Sequence, residues 1–174
     1  DANRANRLTD DPVRKCFLPG VPRVTYMPWP FRIVQTPDHV VLSYEYAHTV
    51  RIVYTDGSPH PLPNDFWMGD SRGHWEGDTL VVETKNFSTK RRFRGATGGL
   101  QVVERFTWVD AETIRYEFTV EDPVIYTEPW GGEIPMWRQH DQMYEYACHE
   151  ANYGMFNILR GARYEERQSD EQGR

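Results

Sequence analysis

Between Leu100 and Glu121, apolar residues recur at every second position on both sides of an acidic turn, Asp110-Ala111-Glu112. Successive side chains of a strand point to opposite faces, so this pattern predicts two antiparallel strands, Leu100 to Val109 and Thr113 to Glu121. On the first arm Leu100, Val102, Glu104, Phe106 and Trp108 share one face. That face is expected to be internal, which makes the carboxylate in its middle the most informative single position in the chain.

The rest of the chain follows the same grammar. Thr36-Pro37-Asp38-His39 has the composition of a turn, and the run from Val40 to Tyr46 after it puts Val40, Leu42, Tyr44 and Tyr46 on one face and Val41, Ser43 and Glu45 on the other. Val50 to Tyr54 reads as a strand that stops at Asp56-Gly57, before a proline-rich loop from Ser58 to Asp65. Thr79 to Thr84 is led in by the turn Glu76-Gly77-Asp78, and His74-Trp75-Glu76 falls at a turn. Lys85 to Gly99 is a polar, glycine-containing connection, either a loop or a frayed edge, and Gly98-Gly99 and Gly131-Gly132 read as loop hinges. Gln142 to Cys148 is a last strand candidate, with a short helix as the alternative.

No stretch sustains a 3.6-residue period over several turns, and roughly six to eight short strands at this spacing are the signature of a barrel or sandwich. The expected fold is a single, mainly antiparallel β-barrel. Closing the sheet removes its edges and, at about eight strands, leaves room inside for one small ligand. The predicted organisation is an N-terminal arm or short helix over 1–22, a barrel domain over 23–152 and a C-terminal tail over 153–174.

With 174 residues the chain suits one domain. Its 6 Trp, 10 Tyr and 8 Phe fit pleated strands and ligand-lined cavities better than helical bundles. Acidic residues outnumber basic ones, 26 against 20, which argues against nucleic acid as a partner. The longest uncharged apolar runs, such as Val40 to Ser43, fall far short of the roughly 20 residues of a membrane-spanning helix. The first residue is Asp1, as expected of a processed product. Cys16 and Cys148 are too far apart in sequence for a CxxC motif; they leave two readings open, a disulfide tying the ends together or two buried thiols. A loop of that length, if closed, would add about 4 to 5 kcal/mol in the chain-entropy model.

Burial among apolar groups penalises a charged carboxylate, which suits Glu104 to general acid or base work. The competing reading pairs Glu104 with an arginine of a neighbouring strand, Arg51 or Arg115, in a purely structural role. His48 follows Tyr44-Glu45-Tyr46 and precedes Arg51, a grouping able to orient an oxygenated aromatic ligand, with His48 as a proton shuttle or as a turn histidine bonded to backbone. His140-Asp141 and His74-Trp75-Glu76 place imidazole near carboxylate but are weaker signals. None of the six histidines stands in HxH, HxxxH or HExxH spacing; a metal site from distant strands would draw on His48, His60, His74 and Glu104. There is no GxSxG, P-loop or GxGxxG motif to support serine hydrolysis by that route, phosphoryl transfer or Rossmann dinucleotide binding.

The run Trp67-Met68-Gly69-Asp70-Ser71-Arg72-Gly73-His74 followed by Trp75-Glu76-Gly77-Asp78-Thr79-Leu80-Val81-Val82-Glu83-Thr84 resembles a family of uncharacterised exported bacterial proteins with a WEGDTLVVET-like segment. The likeness extends through Val34-Gln35-Thr36-Pro37, Tyr44-Glu45-Tyr46 with His48 and Arg51, Asp56-Gly57, Val103-Glu104-Arg105-Phe106, Asp122-Pro123 and Cys148 with Glu150. Gln101 stands where family members often carry His. The resemblance implies a location outside the cytoplasm, periplasmic or secreted, and with it a Cys16–Cys148 disulfide. By analogy the barrel is lipocalin-like, a class that includes both carriers and enzymes.

The expected function is binding of a small, largely apolar or aromatic molecule in the barrel, with proton transfer on it of the isomerase, cyclase or lyase type and no cofactor. Glu104 and His48 would be the catalytic pair, Tyr44 and Arg51 would hold substrate oxygens, and Trp67 and Trp75 would supply apolar walls. A non-catalytic binding protein with the same cavity, a metal-dependent enzyme, and an interaction module filled by its own side chains are the alternatives. Self-association into a homo-oligomer is a further expectation.

Overall fold

The computed structural model describes residues 11–62, 64–90, 94–148 and 153–172. Eight strands form one sheet in sequence order: β1 (Phe31–Gln35), β2 (His39–Tyr44), β3 (Val50–Tyr54), β4 (Asp70–Glu76), β5 (Thr79–Lys85), β6 (Gln101–Asp110), β7 (Thr113–Glu121) and β8 (Trp130–Trp137). The sheet curls into a half-barrel. β1 and β8 are its two ends, and no pairing joins them among the described residues.

Every neighbouring pair is antiparallel except β3 and β4, which meet in parallel through Val53 with Ser71 and Tyr54 with Arg72. A parallel pair needs a crossover rather than a tight turn. The proline-rich loop after Asp56 supplies it. The hairpin of β6 and β7 falls where the alternation predicts, with Glu104 opposite Phe118 and Phe106 opposite Tyr116.

The inner face carries the core. Val40, Leu42 and Tyr44 of β2, Val53 of β3, Leu80 and Val82 of β5, Val102 and Phe106 of β6, and Tyr116 and Val120 of β7 are buried together. A one-turn helix, α1 (Arg23–Tyr26), enters the curl from the N-terminal side and contributes Val24, beside Val21. A Cys16–Cys148 disulfide joins the segment before α1 to the segment after β8.

Four local readings are corrected by the structure. Gln142 to Cys148 forms no strand; only Tyr146 makes a bridge, to Tyr46. His74-Trp75-Glu76 lies on β4 rather than at a turn, since Gly73 lets the strand run close beneath Val53 and Leu80. Gly131 and Gly132 are not hinges but lie on β8, where a Cβ at Gly131 would sit 2.0 Å from the Phe118 carbonyl oxygen. Pro135 is tolerated there because β8 is an edge strand. Residues 154–172, expected as tail, form a helix, α2 (Gly154–Gln172), whose described side chains are exposed.

Candidate functional site

Glu104 is fully buried at the centre of β6, and its carboxylate is the hub of a polar network inside the apolar core. Oε1 accepts hydrogen bonds from the Tyr116 hydroxyl at 2.8 Å and the Thr25 hydroxyl at 3.1 Å. Oε2 accepts one from Nη2 of Arg51. Arg51 in turn donates from Nε to Ser71 Oγ at 2.9 Å and from Nη2 to Thr84 Oγ1 at 2.8 Å. The Tyr44 hydroxyl lies 3.1 Å from Thr25 Oγ1, completing a ring of groups from β2, β3, β4, β5, β6, β7 and α1.

A buried ion pair is tolerable only when its remaining lone pairs and protons are also satisfied. Here one atom is not: Nη1 of Arg51 is buried without a partner among the described residues. Burial works against the charged form of Arg51, but the Glu104 carboxylate, with Tyr44 and Tyr116 beside it, holds its pKa above the ordinary value. Burial raises the pKa of Tyr116, and the Glu104 charge raises it further. Tyr44 is raised by burial and by Glu104, against the opposing pull of Arg51. Both phenols therefore stay protonated near neutral pH and serve as donors rather than bases.

Of the two arginines considered for Glu104, the fold selects Arg51; Arg115 pairs with Glu117 at 3.4 Å. Tyr44 and Arg51 join Glu104, whereas His48 does not enter the network. It sits at the turn after β2 with a positive φ of 50°, and its Nε2 lies 2.5 Å from Glu145 Oε1. Trp67 is committed to the N-terminal segment, donating from Nε1 to the Leu18 carbonyl at 2.7 Å and packing on Phe17. The histidines weighed as metal ligands are dispersed over separate carboxylates: His48 lies beside Glu145, His60 between Asp70 and Glu83, and His74 beside Glu76; His140 likewise lies beside Glu112. Among the described residues no group of three or more His, Cys, Asp or Glu is placed to hold a metal; His149 lies outside them.

Another part of the inner face carries exposed side chains at its rim. The cross-strand row Trp75, Leu80, Phe106, Tyr116 and Ile134 runs over β4 to β8, followed towards the hairpin turn by Trp108, Ile114 and Met136. Leu80, Phe106 and Tyr116 are buried, and Ile114, Ile134 and Met136 are partly buried. Trp75 and Trp108, on the same face, remain 47% and 57% exposed. Two indoles thus flank an apolar floor, and Trp108 stands four residues from Glu104, about 13 Å along the strand.

Sequence reasoning missed Tyr116, Thr25, Ser71, Thr84 and the role of Trp108. The hairpin register alone places Tyr116 diagonally across from Glu104, so its signal was present. Thr25 arrives from a separate segment through the tertiary fold and had none. Comparison with known proteins adds nothing to this geometry: no family model, no curated protein and no solved structure matches the chain.

Proposed function

We propose that the protein binds a small, largely apolar or aromatic molecule on the inner face of the half-barrel, at the mouth between Trp75 and Trp108. The observation that carries this is the pair of exposed indoles on the face that elsewhere builds the core. Large aromatic surfaces left in water at the edge of an apolar core are what a ligand covers with gain. The lipocalin-like closure belongs to the same proposal: the bound molecule completes an interior that the open sheet only half encloses. We place the protein outside the cytoplasm, where a disulfide persists.

The test is titration with an apolar fluorescent probe such as anilinonaphthalene sulfonate, together with native mass spectrometry of protein from its natural compartment. Trp75→Ala and Trp108→Ala should each weaken probe binding about tenfold, the scale of one lost aromatic contact. Unchanged binding in both variants would sink the assignment.

A second reading, proton transfer on the bound molecule, draws on the buried network. Glu104 would be the acid or base, Tyr116 its hydrogen-bonding partner, and the spare Nη1 donor of Arg51 the group that receives a substrate oxygen. It requires the ligand to pass Phe106, which closes the floor above Glu104. His48, bonded to Glu145, would act only from the rim. Turnover that survives Glu104→Gln in folded protein removes this reading and leaves a binding protein. Self-association would use the outer face of β1 to β3, where Val34, Ile52 and Tyr54 are exposed; sedimentation velocity reads it.

A further inference from the structure

A cleft of about 520 Å³ opens where the N-terminal lead-in to β1 meets the segment after β8. It shares no residue with the Trp75–Trp108 mouth. Its chemistry comes from Trp29, Glu45, Gln139, Asp141, Gln142 and Tyr144, with a proline on either side of Trp29.

The walls are held in place before any ligand arrives. The Trp29 ring stacks on Tyr146 at 4.1 Å between centroids, and Tyr146 stacks on Tyr46, itself buried, at 5.4 Å. Glu45 is fixed from three directions: its N–H donates to the Pro30 carbonyl, its carbonyl accepts from the Tyr146 N–H, and its Oε1 accepts from the Tyr144 N–H. The disulfide at Cys148 closes two residues beyond Tyr146. An aromatic plane and a carboxylate are therefore preorganised, which removes part of the ordering cost of binding.

The lining contains no basic side chain, which disfavours an anion. Gln139 and Gln142 each offer a donor and an acceptor, the Tyr144 phenol does both, and Glu45 and Asp141 accept. A saccharide has the matching surface: each pyranose carries an apolar C–H face for an aromatic plane and a rim of hydroxyls that donate and accept at once. A cation would use the rings, the carboxylates and the amide oxygens but leave the amide N–H donors of Gln139 and Gln142 idle. We propose that this cleft binds a neutral oligosaccharide, with Trp29 as the stacking platform and Gln139, Gln142 and Asp141 reading its hydroxyls.

Isothermal titration of the whole protein with neutral hexasaccharides of glucose, xylose and mannose at millimolar concentrations tests this. At least one should bind; Trp29→Ala should weaken it about tenfold, the loss of one stacked aromatic, and Gln142→Ala should weaken it several-fold. Trp75→Ala should leave it unchanged, which separates this site from the mouth. Because Trp29 also backs Tyr146, Gln139→Ala and Gln142→Ala keep the test open if Trp29→Ala does not fold. The proposal is overturned if none of the sugars binds, if binding survives both glutamine substitutions, or if tetramethylammonium binds instead and is lost in Glu45→Gln.

Discussion

Arg51 and Glu104, 53 residues apart in sequence, meet as an ion pair with side chains only 2% and 0% exposed. β3 and β6 are not neighbours in the sheet; the pair crosses the inside of the curl and ties its two halves together. Removing one partner strands a buried charge, whereas removing both removes the desolvation cost as well.

Glu104→Gln and Arg51→Met should therefore each cost about 3 to 5 kcal/mol in denaturant unfolding. The double variant Arg51→Met with Glu104→Leu should lose clearly less than the sum. Additive losses would show that the two residues do not act as a unit.

Tyr116→Phe deletes one donor to Glu104 and leaves the ring packing intact. Hydrogen bonds to charged groups contribute about 1.5 to 3 kcal/mol, and a loss of that size is expected from chemical denaturation. If the loss falls within error of zero, the phenol is not a required partner.

Gly131→Ala should disrupt the β7–β8 pairing, because its Cβ would fall 2.0 Å from a backbone oxygen that cannot move without the strand. Gly132→Ala meets only ring atoms of Phe118 at 3.2 and 3.3 Å, which can yield. Hydrogen exchange at β8 should rise in the first variant and change little in the second.

The Cys16–Cys148 bridge spans 132 residues, and its reduction should lower stability by about 5 kcal/mol in the chain-entropy model. Paired unfolding curves with and without reductant give the value. The double variant Cys16→Ser with Cys148→Ser should match the reduced protein.

Acid should weaken the fold through Asp11 and Glu83. Burial alone would raise both carboxyls, but Arg23 and the Val13 N–H pull Asp11 below 3.8, and Lys85 and His60 pull Glu83 below 4.5. A depressed folded pKa stabilises above the unfolded value and is lost as pH falls through the folded one. Melting temperature should fall as pH drops from about 5 towards 3, and Lys85→Met should flatten that slope. An unchanged slope in that variant would remove Glu83 from the account.

Alternation made β2 and the β6–β7 hairpin legible, because one buried face per strand imposes a period of two, whereas β3 and β5 were marked by the turns Asp56-Gly57 and Glu76-Gly77-Asp78 beside them; β5 is buried on both faces over Thr79 to Val82. Glu104 stood out for the same reason, as a carboxylate on a face where every neighbour is apolar. β8 was hidden, since two glycines and a proline erase the alternation on a strand whose place is secured by pairing with β7. β4 was hidden likewise, its polar run Asp70-Ser71-Arg72-Gly73-His74 made stable by neighbours on both sides.

What local patterning could not reach was partnership across the fold. The choice of Arg51 over Arg115, the arrival of Thr25 beneath Glu104, the diversion of His48 to Glu145 and the placing of Trp75 and Trp108 on one face across β5 all depend on strand order and on which segment fills the curl. Those are decided by long-range packing and by the need to satisfy every buried polar group at once. The sequence determined that a carboxylate would lie inside; only the tertiary arrangement of seven contributing elements determined what it would hold.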